Sequence, residues 1–403
     1  MAGSADDEGF NPATRLVLAG RHADWTGIPG APGAVVNPAV WRASTHLYPD
    51  VAALHAGKPN EDGHFYYGRR GAPTQWALAD ALTALEAGAA GTVLYPSGVA
   101  ALAGALLTVL RPGDVLLMTD NAYEPTRNLG RGLLKDFGVE TRWFDPLDPA
   151  AFEAAICDKT RAVLLESPGS LTMEVQDVPA LSAIAHRHGM VVVLDNTWAS
   201  PLGFRALERG ADIAVMSLTK HVGGHSDLMM GSASAGPDLY RKLRLRSQQL
   251  GQVVSPDDAS LALRGLRTMA LRLAQETSSA LELAKWLESR PEVAQVLCPM
   301  LPGSPGHELW ARDFSGGCGL FSFVFAGGSA AQCDAFVDAL QLFGIGYSWG
   351  GFESLVTPLE PAAIRSATSW PKDRFGVRLS IGLEDVADLR ADIEQAFAAW
   401  RAG

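Results

Sequence analysis

Short apolar runs alternate with helical stretches through the middle of the chain. WALADALTALEAG repeats its apolar positions at helical spacing and stops at Gly, which predicts a helix over Thr74 to Gly88. Further on, GTVLYPSG leads into VAALAGALLTVL, and DVLLMTD leads into a helical stretch near Asn128 to Phe137. RAVLLESP precedes PALSAIAHRHG, MVVVLDN precedes PLGFRALERG, and ADIAVMSLTK follows. Strands and helices in alternation imply parallel strands joined by right-handed crossovers. Such strands are buried on both faces, which suits runs that are apolar throughout rather than at every second position.

The two ends of the chain read differently. Residues 1–70 are rich in Gly, Pro and Ala and predict an extended arm with one or two short helices. After about Gly265 the pattern changes to a long amphipathic helix near Ala270 to Ser289, strand-like GLFSFVFAG, helical AAQCDAFVDAL, strand-like RLSIGLED and a helix from Val386 to Trp400. The expected architecture is α/β: the arm (1–70), a large domain with a mostly parallel sheet (71–265), and a smaller α+β C-terminal domain (266–403).

Composition narrows the functional classes. The 403 residues are 47% hydrophobic and 19% charged, enough apolar material for a sizeable core. A formal net charge of −11 argues against a non-specific grip on nucleic acid, although a few local donors still suffice for one phosphate. Cys157, Cys298, Cys318 and Cys333 are scattered without metal-ligand or disulfide-framework spacing. The start MAGSADDEGF is acidic, and Val99 to Leu110, the longest apolar run, is too short to span a bilayer. The expectation is a cytoplasmic protein with no membrane or nucleic-acid partner.

In an open α/β sheet, ligands gather at the carboxyl ends of the strands. Lys220 ends SLTK and precedes the Gly-rich HVGGHSD. Most lysines are surface residues, but one in partly desolvated surroundings has a lowered pKa and can form a Schiff base with an aldehyde cofactor. Asp195 ends VVVLD and reads equally as a helix N-cap or as the acidic partner of a pyridine nitrogen. The turn Pro96-Ser97-Gly98-Val99 opens a helix whose free N–H groups suit a phosphate, with Ser217 and Thr219 as further donors. Tyr123, after DVLLMTD, is either core packing or a ring that stacks on a pyridine. Arg378, inside the apolar GVRLSIG, needs either an internal ion pair or the carboxylate of an amino-acid substrate. His221 and His225 have i, i+4 spacing, but nothing completes a metal site around them. An amine, an acid, a phosphate turn and a flat ring together suit pyridoxal 5′-phosphate (PLP).

The stretches YYGRRGAPT, YPSGVAA, NAYEP, LESPGSLTMEVQDVP, LDNTWASP, SLTKHVGGHSD, RGLRTM, YSWGGFES and VRLSIGLED resemble the Cys/Met-metabolism PLP-dependent enzymes of fold type I. They cover most of the chain from about residue 35 onward, and YSWGGFES and LESPGSLTMEV point to the β-lyase branch. That resemblance implies carbon–sulfur cleavage of L-cystathionine to homocysteine, pyruvate and ammonia, with side activity on cysteine S-conjugates. By position it implies that Lys220 carries PLP and moves protons, that Asp195 partners the pyridine nitrogen and that Tyr123 stacks on the ring. It gives Gly98, Val99, Ser217 and Thr219 the phosphate, and gives Tyr67 and Arg69 the phosphate of a neighbouring subunit. It gives Arg378 the substrate carboxylate, with Ser348 and Trp349 in the adjoining pocket. The partner implied is a second copy of the chain, a dimer at minimum and commonly a homotetramer. His221 stands where a tyrosine is expected after the lysine. The rival activities are a γ-lyase, a γ-synthase or a racemase on the same fold, or a PLP-binding protein without catalysis.

Overall fold

The computed structural model describes residues 10–57 and 63–402. The acidic start of the chain and residues 58–62 of the arm lie outside them. The chain divides into two units: Met1–Thr108 with Asp212–Ala270, and Val109–Ala211 with Leu271–Gly403.

In the first unit, strands Gly91–Tyr95 and Ile213–Ser217 both pair antiparallel with Gly231–Ala235. The middle strand, GSASA, has no apolar run to announce it. Its small residues answer to crowding: a Cβ on Gly231 would collide with the Ser97 carbonyl. The helix Pro73–Leu85 begins on a proline, and the Gln75 side chain accepts the Ala72 N–H at 3.2 Å. The helix Gly98–Val109 is apolar on nearly every side, as an enclosed helix should be. Gly104 leaves room there for the fully buried Tyr95 ring. Helices Pro237–Gln249 and Pro256–Leu266 complete this unit's larger elements.

In the second unit, Val115–Thr119 lies between Glu140–Phe144 and Thr160–Glu166, and the latter pairs with Val191–Asp195, all in parallel. The helix expected over 128–137 starts earlier and is broken: Glu124–Arg131 and Leu133–Asp136 flank Gly132, whose φ of −113° and ψ of −96° are not helical. PLGFRALERG yields only the turn Ser200–Gly203, because Phe204 is drawn into an extended conformation and packs on Phe314 with ring centroids 4.5 Å apart. Tertiary packing overrides local helix propensity at that point.

A separate five-stranded sheet in the second unit has the order Gly344–Ile345, Leu355–Pro358, Gly376–Ser380, Leu320–Phe325, Val293–Leu297. Only its first pair is parallel. Its apolar side is built from aromatic rings. Phe323, Phe325, Phe336 and Phe397 meet at centroid distances of 5.1 to 6.4 Å, and Trp400 stacks on Phe325. These rings join the sheet to helices Ala330–Ala339 and Val386–Ala402, a packing that burial and ring geometry both favour.

One polar cluster in this unit is as enclosed as the rings. Asp120 and Arg127 are both fully buried and pair at 2.8 Å. The backbone N–H groups of Ser366, Ala367 and Thr368, and the hydroxyls of Ser366 and Thr368, also donate to the Asp120 carboxylate. Burial alone would raise that carboxyl, but the bonds from Thr368 and Ser366 outweigh it and hold it at about 2. Asp120→Asn should destabilise the protein by about 3–5 kcal/mol in urea unfolding, since Arg127 would be left as a buried uncompensated charge. The folded value lies below the unfolded value of 3.8, so the contribution is complete above about pH 4 and is lost as pH falls through about 2. The gap between wild type and variant should accordingly narrow over that window, and a gap independent of pH would contradict the assignment.

Candidate active site

In the first unit, the candidate residues Gly98 and Ser217 meet at the turn before the helix Gly98–Val109. Gly98 packs against the strand end at Ser217: a Cβ there would lie 2.8 Å from the Ser217 Cβ and 2.9 Å from its hydroxyl. Ser97 caps the helix by accepting the Ala100 N–H at 3.1 Å. The amides of Gly98 and Val99 belong to the first turn, where a helix offers its N–H groups no internal acceptor. Glycine at 98 and 231 keeps side chains out of this corner, leaving amides and the Ser217 hydroxyl to line it. Thr219 differs from the expectation in detail. Its hydroxyl donates to the Met230 carbonyl at 3.2 Å and accepts the Met230 N–H at 3.0 Å, so its proton is directed at backbone.

Lys220 follows as a half-buried residue in a turned segment. Its N–H bonds the Ser217 carbonyl at 3.2 Å, and its carbonyl accepts the Gly224 N–H at 2.7 Å. Gly265, from the RGLRTM stretch, presses against the carbonyls of Val222 and Gly223, where a Cβ would collide. The loop is thus held from both sides, which gives RGLRTM a physical reason. Tyr67 is 47% exposed, and the Arg69 guanidinium donates to the Gln248 carbonyl at 2.9 Å within the chain. Gly68 between them must be glycine, because its Cβ position is occupied by the Ala43 carbonyl.

In the second unit, Tyr123 and Asp195 meet at a residue the sequence did not single out, Glu166, and Arg378 lies near Tyr123. Tyr123 sits just before the helix Glu124–Arg131 with its ring 44% exposed, and its N–H donates to Glu166 Oε2 at 2.8 Å. Glu166 and Asp195 end neighbouring parallel strands and stand opposite each other in register. Asp195 Oδ1 accepts the Thr197 N–H at 3.0 Å and its hydroxyl at 2.5 Å. Burial raises the Tyr123 phenol, Arg378 pulls it back, and Glu166, Asp195 and Glu124 add to the rise. The phenol is therefore protonated at neutral pH.

Arg378 lies on the central strand of the five-stranded sheet, between Thr357 and Ser322, and is only 8% exposed. Burial lowers its pKa, and the group that most opposes this is the Tyr123 phenol rather than a carboxylate. Among the described residues it forms no ion pair. No internal Asp or Glu partner is therefore found for it among the described residues. Ser348 and Trp349 are half-buried in the loop that follows Gly344–Ile345, and the next residue, Gly350, donates its N–H to Ser380 at 3.3 Å. That bond ties the loop to the end of the Arg378 strand.

The groups present fit PLP. Amides and a hydroxyl in a glycine-lined corner suit its phosphate, Lys220 its aldehyde, Asp195 its ring nitrogen and the exposed Tyr123 ring its flat face. Among the described residues no three His, Cys, Asp or Glu side chains cluster as metal ligands, and no helix is long and apolar enough to cross a membrane. Glu166, Thr197, Gly231 and Gly265 escaped the sequence reading. The signals were the polar residues closing LESP and LDNT and the small-residue strand GSASA.

Similarity to known proteins agrees with this chemistry. Cystathionine beta-lyase MetC of Escherichia coli (strain K12) is 43% identical over 96% of this chain and 98% of its own length. Cystathionine beta-lyase of Salmonella typhimurium is 43% identical with the same coverage. The crystal structure of cystathionine gamma synthase from Xanthomonas oryzae pv. oryzae, in complex with aminoacrylate and cysteine, matches with a TM-score of 0.88 at 32% identity, over 98% of this chain and 99% of that one. The family model described as Cys/Met metabolism PLP-dependent enzyme matches residues 14–398. The chain belongs to the Cys/Met metabolism PLP-dependent enzyme family, with the fold type I α/β architecture of that family.

Proposed function

We propose that this protein is a PLP-dependent carbon–sulfur β-lyase that cleaves L-cystathionine to homocysteine, pyruvate and ammonia, with side activity on other cysteine S-conjugates. The single observation that carries an amino-acid substrate is Arg378, a buried guanidinium without a carboxylate partner among the described residues. A substrate α-carboxylate meets it through two parallel N–H···O bonds. Several relatives bear β-lyase names, two of them at 43% identity, against 40% for the L-methionine gamma-lyase of Pseudomonas deceptionensis, which favours β- over γ-elimination.

When bound, PLP supplies an electron sink that acidifies the substrate Cα–H. Asp195, as a carboxylate steadied by Thr197, keeps the ring nitrogen protonated. Lys220 takes the Cα proton as general base. The Cα–H electron pair closes a Cα–Cβ double bond while the Cβ–S bond breaks toward sulfur. Lys220 then returns a proton to the leaving thiolate. The remaining three-carbon fragment takes up water and leaves as pyruvate and ammonia. Gly98, Val99 and Ser217 hold the phosphate, Ser348 and Trp349 flank the substrate, and Tyr123 stacks on the ring.

The finer part of the proposal is a cytoplasmic homotetramer in which Tyr67 and Arg69 reach the phosphate of a neighbouring subunit. The exposure of Tyr67, and of Val35, Val36 and Leu47 on the same arm, supports an arm covered by another copy.

Product analysis tests the reaction. Purified holoenzyme given L-cystathionine should release pyruvate and free thiol in equal amounts. Release of 2-oxobutyrate would move the assignment to γ-elimination. Lys220→Ala should lose the cofactor's visible absorbance band and at least about 10³-fold in kcat, the scale of a lost proton-transfer group. A turnover near that of wild type would remove Lys220 from the mechanism.

A further inference from the structure

Two carboxyl groups end neighbouring parallel strands in the second unit. Glu166 and Asp195 are register partners, so their side chains leave the same face of the sheet. Two half-buried carboxyl groups so placed repel one another when both are charged, which raises the pKa of one of them.

Their surroundings decide which. Asp195 Oδ1 accepts two hydrogen bonds from Thr197, one from its N–H and one from its hydroxyl, and these stabilise the charged form. A negative Asp195 is also what the proposed lyase requires, and the inference rests on that reading. Glu166 is differently placed. Its carboxylate accepts the Tyr123 N–H at 2.8 Å and a second backbone N–H from Ser170; both favour the charged form, and burial together with the Asp195 charge outweighs them. Arg365, the nearby cation, is already engaged by Glu174 at 2.8 Å and by the Thr172 hydroxyl. Burial pushes the Glu166 carboxyl well above the usual carboxylate range, and the charge of Asp195 pushes it further.

Glu166 is also anchored from behind. Its own carbonyl accepts the Gln176 side-chain N–H at 2.6 Å, and Gln176 also donates to Thr119 and Asn121 at 3.0 and 3.1 Å. Glu166 therefore joins a braced loop to the backbone of the residue whose ring faces the cofactor. We propose that Glu166 is a positioning residue that acts as a neutral carboxylic acid: it fixes the Tyr123 backbone and leaves the negative charge at this end of the sheet on Asp195 alone. A second ionised carboxylate there would compete for the ring-nitrogen proton and repel the substrate carboxylate on its way to Arg378.

Infrared difference spectroscopy between wild type and Glu166→Gln tests the protonation state directly, at neutral pH and without PLP. A protonated-carboxyl C=O band that shifts in D2O, and is absent from the variant, is the expected result. Absence of such a band in wild type would overturn the proposal. Dissociation of PLP, followed by absorbance, tests the positioning role. Glu166→Ala should weaken PLP binding by about tenfold or more, because the Tyr123 amide loses its acceptor. Glu166→Gln, an uncharged isostere with the same acceptor oxygen, should recover most of that loss. A Gln variant as weak as the Ala variant would overturn the proposal, and if the Ala variant fails to fold the infrared comparison still decides. Should wild type make no pyruvate from cystathionine, the lyase reading fails while the infrared band still reports on Glu166.

Discussion

A guanidinium on the central strand of a buried sheet must be met by negative charge, and Arg378 has no carboxylate of its own among the described residues to meet it. An uncompensated buried charge costs several kcal/mol in a protein. The sheet that carries it must be correspondingly firm, and the aromatic cluster of Phe323, Phe325, Phe336, Phe397 and Trp400 supplies that firmness. The Asp120 cluster, which seizes residues 366–368 ahead of the Arg378 strand, adds a polar clamp within the same unit. Stability held in rings and a closed polar cluster lets one buried cation stand without a carboxylate partner among the described residues.

Three carboxyl groups in the second unit are each given one task by their neighbours. Asp120 is driven low by a crowd of donors and serves structure. Asp195 is steadied as a carboxylate by Thr197. Glu166 is driven high by burial and by Asp195. Three acids with three environments separate scaffold, charge and neutral prop. The first unit works by close approach instead: glycines at 98, 231 and 265 let backbone lie where side chains would intrude, and the turn at Gly98 and the loop after Lys220 take shape from that contact.

Much of this was legible from residues alone. Apolar runs ending near Asp195 and Lys220, and the Ser97-Gly98 turn before an apolar helix, marked the strands and the helix that the structure forms, and pointed to candidate site residues at their ends, because ligands gather where buried strands stop. Arg378 was legible as an anomaly, and the absence of an ion pair for it among the described residues came from the structure. GSASA was not legible as a strand, since its pairing is dictated by crowding at Gly231 rather than by hydrophobicity. Glu166 was passed over because its meaning is relational: it depends on the register with Asp195 and on the Tyr123 amide, and neither is written in local pattern. The helix break at Gly132 and the extended Phe204 likewise come from packing that propensity does not contain.

The most direct test of the account is whether Arg378 reads the substrate carboxylate. Holoenzyme is assayed with a cysteine S-conjugate and with the matching conjugate of cysteamine, which lacks the α-carboxylate. Wild type should prefer the carboxylated compound by at least about 30-fold in kcat/KM, the lower end for losing one partner of a buried charge pair. In Arg378→Ala that preference should fall to within a few-fold. A variant that keeps the full preference would show that another group holds the carboxylate, and the account of the site built around Arg378 would be wrong.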